Sequence, residues 1–410
     1  MKKTEDKQDK VEQELEKKSN LSIINLVNYL VEKAQTNGVS DIHIDPGLNK
    51  VRVRFRQDGV LQELYELPKE IHGEVIARIK VLSKLRTDEH QATQDGRWRH
   101  MFEDGKNFVD IRVSIVPTYH GENCVMRLLS DKASNYTLEN LGFSESDRNK
   151  IAKAMRQTSG MILATGPTGS GKTTTLYTLV KMLNSPEVSI VTIEDPIEYA
   201  IEDIEQIQVN SKAALTFANG LRSILRQDPN IIMVGEIRDS ETANIAVNTA
   251  LTGHLLLSTL HTNDAATTLP RLLDMGVEEY LVASTVNIAI GQRLVRKICE
   301  NCKVEMEMTP AFKESLSKMP FGSLVRDEHK FYKGAGCKKC NKSGFAGRIC
   351  INEVLVADDE IREAILVKKS ASEIRNIAIK NGMTTMLQDG FMKVLAGETT
   401  VEEILRVIHE

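Results

Sequence analysis

The chain has 410 residues, enough for two to four domains, and its 41% hydrophobic content is enough for real cores. No apolar run reaches the roughly 20 residues that a bilayer-spanning helix needs, and 27% charged residues argue for solubility. A net charge of −4 gives no support to a nucleic-acid footprint, which usually shows as a basic domain.

Residues 1–19 hold six basic and six acidic side chains and almost nothing apolar. They read as a solvated tail, with an isolated charged helix as the alternative. No apolar signal core follows the opening Met-Lys-Lys-Thr-Glu-Asp, which argues against secretion. Over 21–34, Ile24, Leu26, Val27, Leu30 and Val31 fall at helical spacing. Residues 40–46 alternate like a strand that Pro46 ends. Val51, Val53 and Phe55 alternate with Arg52, Arg54 and Arg56, which read as a solvated strand face, and Asp58-Gly59 signals a hairpin. Ile71, Val75, Ile79, Leu82 and Leu85 predict a helix. Asp95-Gly96 and Asp104-Gly105 predict two further turns, flanking alternating segments of which the last carry Arg112 and Arg127. Residues 20–135 are therefore expected to form a small α+β domain.

Residues 136–146 read as a linker. Over 147–295, helices alternate with apolar strands at 161–164, 188–193, 231–234 and 255–259, the pattern of a parallel sheet covered by helices. Residues 296–349 carry two cysteine pairs. Residues 350–410 are expected to be helical, with caps and turns at Ser370, Gly382, Gly397 and Thr400.

The most informative run is Gly166, Pro167, Thr168, Gly169, Ser170, Gly171, Lys172 and Thr173, followed by Thr174. It matches G-x-x-x-x-G-K-[ST], in which glycines let backbone N–H groups point at phosphate oxygens. Lys172 can reach the β- and γ-phosphates and Thr173 can coordinate Mg²⁺. The run has its required context. An apolar strand at 161–164 precedes it, and Leu176, Leu179, Met182 and Leu183 follow on one helical face.

Turnover also needs an acid. Glu236 ends the apolar strand 231–234 after Gly235, and is expected to serve the metal and activate water. Glu194, at the end of 188–193, is the second candidate base. His254 and His261 flank the strand 255–259, and His261 could hydrogen-bond the γ-phosphate or the attacking water. Cys299-x₂-Cys302 and Cys337-x₂-Cys340 are separated by 34 residues. Four thiolates with no open position describe a structural Zn²⁺ site. Free thiols and an iron–sulfur cluster are the other readings. Lys297, Lys303, Lys338, Lys339 and Lys342 could offset the charge of such a centre. Cys124 and Cys350 read as small buried hydrophobes.

The segments 166–173, 192–198, 235–239 and 253–262 resemble the Walker A, Asp box, Walker B and His box of the secretion ATPase superfamily. The cysteine pairs narrow the likeness to type II secretion and type IV pilus assembly ATPases. The resemblance covers roughly residues 20–410. It implies a RecA-like P-loop ATPase domain, a zinc-binding insertion and C-terminal helices, with ATP, Mg²⁺ and Zn²⁺ as ligands. It implies a hexameric ring in the cytoplasm, peripheral to the inner face of the membrane and working on an inner-membrane platform protein. Arg112 and Arg127 match the family's N-terminal-domain arginines that contact phosphate. Arg222, Arg226, Arg238 and Arg271 match its other arginines near the nucleotide and the subunit interface. Such guanidiniums stabilise charge on a transferred phosphoryl group. Family members often carry an extra N-terminal domain that docks to a membrane-bound partner, whereas here the charged tail stands before Leu21. A retraction motor, a motor for DNA uptake, a nucleotide-gated module that does not hydrolyse and a nucleic-acid translocase are the competing readings. The cysteine pairs argue against retraction, the acidic groups against a passive module, and the charge balance against a translocase.

Overall fold

The computed structural model describes residues 9–102, 104–129, 136–307, 309–319, 321–322, 325–326 and 328–409. The chain divides into two units, Met1–Lys132 and Ala133–Glu410.

The first unit runs α1 (Lys10–Glu16), α2 (Ile23–Thr36), β1 (Val39–Pro46), β2 (Lys50–Gln57), β3 (Val60–Pro68), α3 (His72–Leu82), β4 (Gln94–Met101), β5 (Phe108–Thr118) and β6 (Gly121–Leu129). The strands form one antiparallel sheet in the order β3-β2-β1-β6-β5-β4. Its alternating side chains divide the faces. Ile42, Ile44, Val51, Val53, Phe55, Val109, Ile111, Val113, Ile115 and Met126 form the core with Leu26, Val27, Leu30 and Val31 of α2. Asp58 (φ 50°) and Gly59 (φ 87°) make the expected tight hairpin between β2 and β3.

Three expectations change in this unit. Residues 10–16 are a packed helix, because Val11 enters the core and the buried carboxylate of Glu14 accepts from the Ser22 N–H at 2.8 Å, at the start of α2. The first eight residues lie outside the described ones. Asp95-Gly96 sits inside β4, where Gly96 pairs with Val113, because strand pairing overrides the local turn preference. Only Arg52 of the β2 arginines is simply exposed. Arg54 donates to Asp45 at 2.6 Å, and Arg56 lies 3.7 Å from Asp41.

The second unit runs α4 (Glu145–Met155), β7 (Gly160–Thr165), α5 (Lys172–Leu183), β8 (Ile190–Glu194), β9 (Glu205–Gln208), α6 (Phe217–Ile224), β10 (Ile231–Val234), α7 (Ser240–Leu251), β11 (Leu255–Leu260), α8 (Ala265–Asp274), α9 (Glu279–Thr285) and β12 (Val286–Ile298). It continues through β13 (Lys303–Met306), α10 (Pro310–Ser317), β14 (Phe331–Gly334), β15 (Phe345–Val356), α11 (Asp359–Leu366), α12 (Ala371–Lys380), α13 (Met386–Leu395) and α14 (Val401–His409).

Seven strands form the main sheet in the order β15-β12-β7-β11-β10-β8-β9. All neighbours are parallel except β15, which runs antiparallel to β12. β7, β8, β10 and β11 are buried at every position, as strands covered on both faces must be. One core lies toward α6, α7, α8, α9, α11 and α12. The other lies toward α4 and α5 and takes in Leu138, Leu141 and Phe143. On α5 the buried set is Leu176, Tyr177, Leu179 and Val180, and Met182 is exposed, so the helix is rotated from the predicted face. Residues 351–356 are strand, where helix was expected. A continuous apolar run reads alike as buried strand or helix, and pairing with β12 decides it. Ser370 caps α12 as expected, in a capping box with Glu373. Cys124 and Cys350 are both buried. Among the described residues, no helix is long and apolar enough to cross a membrane.

Candidate functional site

β7 delivers the chain into the glycine loop. Gly166, Gly169 and Gly171 have φ of 142°, 79° and 93°, backbone that side chains rarely adopt. Pro167, Thr168 and Gly169 are exposed and Ser170 is buried, so the loop is an open rim on a packed base. α5 begins at Lys172, with Thr173 exposed and Thr174 half-buried in its first turn. The first N–H groups of a helix have no partner within it and attract anions. The Lys172 ammonium is folded onto the loop, donating to the Gly166 carbonyl at 2.7 Å and the Pro167 carbonyl at 2.9 Å. Burial lowers its pKa to about 8, against the opposing pull of the Glu236 charge. An anion at the rim would offset the loss of hydration that burial imposes on this ammonium.

The neighbouring strands bring acids to the same end of the sheet. Thr165 at the end of β7 lies opposite Leu260 of β11, and β10 lies between β11 and β8. Glu236 follows β10, and His261 follows β11. The Glu236 carboxylate accepts from Arg238 at 2.5 Å and meets His261 Nε2 at 2.9 Å. The pairing holds Arg238 protonated beyond its usual range. Thr165 Oγ1 donates to the Thr262 carbonyl at 2.8 Å, which ties the segment after β11 to the glycine loop.

Glu194 has a different setting. It is 2% exposed, and both its oxygens are engaged. One accepts from the Tyr177 hydroxyl, the other from Thr192 Oγ1 at 2.6 Å and Gln206 Nε2 at 3.1 Å. Burial, reinforced by the Glu194 charge, pushes the Tyr177 hydroxyl well above the usual tyrosine range, so it stays a donor. Of the two acids, Glu236 is the one whose charge bears on Lys172.

Among the described residues, the remaining predicted ones of this unit have other partners or are exposed. His254 precedes β11, at the opposite end of the strand from His261, and bonds the Thr249 carbonyl at 3.1 Å. A six-residue strand separates them, about 20 Å of rise. Arg222 pairs with Glu241 at 2.7 Å, and Arg226 donates to the Arg222 carbonyl at 2.9 Å. Both are exposed, as is Arg271 on α8.

In the first unit, register rather than spacing is informative. Arg112 of β5 lies directly opposite Arg127 of β6 and also opposite Arg97 of β4. Asp41 of β1 is opposite Arg127 and also opposite Arg56. A single row across the sheet thus reads Arg56, Asp41, Arg127, Arg112, Arg97. Asp41 anchors Arg127 by accepting from its Nε at 2.8 Å. The row therefore sets three arginines side by side, with Asp41 as a counter-charge at one end. The sequence reading singled out neither Arg97 nor Asp41. The signal lay in equal steps of 15 residues from Arg97 to Arg112 to Arg127.

The four paired cysteines converge, with all their sulfurs within 4.8 Å of one another. Tetrahedral Zn–S bonds of about 2.3 Å place sulfurs about 3.8 Å apart. The Sγ–Sγ separations are 3.9 Å for Cys299–Cys337, 3.8 Å for Cys302–Cys340 and 3.6 Å for Cys337–Cys340. A four-iron cluster would need a wider cage, since each cysteine then binds a different iron. Burial pushes the Cys302 thiol up to about 12. At Cys340 burial is outweighed by neighbours that favour the thiolate, including the Cys337 and Gly344 N–H groups, which bring it down to about 6.

Comparison with known proteins decides the family. The model of the type II/IV secretion system protein family matches residues 16–406. The chain belongs to this family. It is 47% identical over 392 residues to type II secretion system protein E of Xanthomonas campestris pv. campestris, covering 96% of this chain and 68% of that one. It is 46% identical over 379 residues to the type IV pilus assembly ATPase PilB of Thermus thermophilus, covering 92% of this chain and 42% of that one. The chain thus spans less than half the length of the second relative. Two solved structures share its fold. The Legionella pneumophila ATPase DotB matches with a TM-score of 0.67 at 22% identity, covering 93% of this chain and 95% of that one. The pilus retraction motor PilT with bound ADP matches with a TM-score of 0.63 at 24% identity, covering 93% and 96%. The second unit therefore has a RecA-like α/β fold, a mostly parallel sheet covered by helices.

Proposed function

We propose that this chain is a Mg²⁺-dependent ATPase that works as a hexameric ring and powers assembly of a type IV pilus or a type II secretion pseudopilus. The observation that carries the enzymatic reading is the placement of Glu236, with His261 at 2.9 Å, at the sheet end where the glycine loop holds Lys172. In this reading the loop N–H groups and Lys172 bind the phosphates of ATP, and Thr173 with Glu236 would hold Mg²⁺, which would supply positive charge to offset the phosphates. Glu236 activates water, oriented by His261. Glu194 acts from behind, with Tyr177, as a brace. Arg112 and Arg127, which share a row with Arg97, offer guanidinium to nucleotide phosphate, and nucleotide state is converted into domain motion.

The four cysteines would hold a structural Zn²⁺, which their sulfur spacing fits. The assembly direction is supported by the names of the relatives above 40% identity, one a pilus assembly ATPase and another the type II secretion system ATPase E of Vibrio cholerae. The PilT likeness speaks to fold alone. The working location would be the cytoplasmic face of the inner membrane, against a platform protein. The test is phosphate release from ATP by purified protein under oligomerising conditions, with and without Mg²⁺ and the platform protein. Slow, Mg²⁺-dependent turnover is expected. Nucleotide binding without turnover in every condition would leave only the passive module.

A further inference from the structure

Gln292 was absent from the sequence-derived site, yet it lies under the glycine loop. It sits on β12 with no exposed surface. Its Nε2 donates to the Ser170 carbonyl at 2.9 Å and lies 3.7 Å from Cys350 Sγ. The Gln292 backbone carbonyl faces Gly166 so closely that a Cβ there would lie 2.3 Å from it. A Cβ on Gly171 would lie 3.0 Å from Gln292 Nε2 and 3.5 Å from Cys350 Sγ. One residue therefore meets both ends of the loop: Gly166 through its backbone, Ser170 and Gly171 through its side chain. Gln292 Oε1, Ser170 Oγ and Thr175 Oγ1 are all buried without a hydrogen-bond partner. Unpaired polar atoms in one packed place need a reason, since each costs more than an apolar atom of the same shape.

Fold position adds to this. Gln292 pairs with Asn352 of β15. The Asn352 N–H donates to Asp389 of α13 at 2.7 Å. Next to it, Glu353 accepts from the Ala265 N–H at the start of α8 and from the Met386 N–H at the start of α13. Along β12, Arg296 is paired to Glu403 of α14 before the strand runs out into Cys299. The loop rests on a strand pair fastened to the C-terminal helices.

We propose that Gln292 is a positioning residue for phosphate binding, its amide strut holding Ser170, Gly171 and Lys172 in the shape that receives a nucleotide diphosphate. This rests on the reading of the loop as a nucleotide site. A strut that shapes the loop acts equally on bound nucleotide and on the transition state, so it governs affinity more than turnover.

The test measures MgADP affinity with a fluorescent ADP analogue, and kcat and KM for ATP, in Gln292→Met and Gln292→Glu. Both keep the side-chain length. Methionine has no donor, and glutamic acid donates only when protonated. Gln292→Met should weaken ADP binding and raise KM about five- to tenfold, the worth of one hydrogen bond, with kcat within twofold of the parent. Gln292→Glu, expressed relative to the parent at each pH, should bind better than Gln292→Met at pH 6 and lose that advantage by pH 8. Melting temperature is read alongside. Affinities of both variants within twofold of the parent, even with a lower melting temperature, would overturn the proposal. So would equal weakening of both with no dependence on pH, which is the signature of a packing role. If Gln292→Met does not fold, the pH series of Gln292→Glu decides alone. Failure of the parent protein to bind MgADP would instead remove the nucleotide-site reading itself, and the strut with it.

Discussion

Replacing Glu236 with glutamine separates binding from chemistry, because the structure makes its structural cost small. Its two partners are largely in water, Arg238 at 61% and His261 at 48% side-chain exposure. Released from the carboxylate, both are resolvated, so the expected loss of stability is about 0–1 kcal/mol. Shape is unchanged, and one negative charge leaves the region that receives a polyanion. ATP should therefore bind as well as before or more tightly. Lys172 loses the charge that held its pKa up, so its pKa should fall further. Turnover should drop by about 10²–10⁴, the usual contribution of a positioned acid or base, or about 2.7–5.4 kcal/mol of barrier. The assay pairs fluorescent-nucleotide titration with phosphate release at saturating ATP, and melting temperature serves as control. A kcat within tenfold of the parent would refute the assignment. So would loss of turnover that merely tracks loss of nucleotide binding.

Glu194→Gln should behave in the opposite way. Its oxygens accept from three donors, so an amide there sets donor against donor, and about 1–3 kcal/mol of stability should be lost by thermal or denaturant unfolding, with a smaller fall in kcat than in Glu236→Gln. Lys172 predicts a pH dependence of defined sign. Its folded pKa of about 8 lies below the ordinary lysine value of about 10.5, so between these the unfolded chain binds more protons, and the stability of nucleotide-free protein gains from this group as pH rises through that window. Nucleotide affinity should run the other way, weakening above pH 8, and Lys172→Met should abolish both trends in paired melting and titration series. Cys340→Ser should lose the bound metal by elemental analysis and lower the melting temperature by the equivalent of at least about 1 kcal/mol, because Cys340 Sγ also accepts from the Gly344 N–H at 3.3 Å.

The legible parts of this protein are those that depend on short runs of chain. The glycine loop is a local backbone shape, written in consecutive residues, and an apolar strand before it with a helix after it leaves few alternatives. The same holds for the four interior strands and for the Cys-x₂-Cys pairs, whose spacing alone makes one edge of a tetrahedron. Where the reading failed, local preference met a longer-range competitor. Asp95-Gly96 carries a turn signal, but pairing with β5 holds it in a strand. Residues 351–356 are apolar without a period, and only β12 beside them makes them β.

The sequence by itself determined a glycine-rich loop between an apolar strand and a helix, candidate acids at strand ends and two Cys-x₂-Cys pairs, because each is encoded within a few residues of itself. The tertiary structure decided how they are used. It aimed Glu236 and His261 together and closed Glu194 into hydrogen bonds with Tyr177, Thr192 and Gln206. It lined up Arg97, Arg112 and Arg127 by strand register and set Gln292 beneath a loop more than a hundred residues earlier in the chain. Such placements follow from sheet order and register. These are properties of which strands pair, and they leave no periodic trace in the residues that end up in contact.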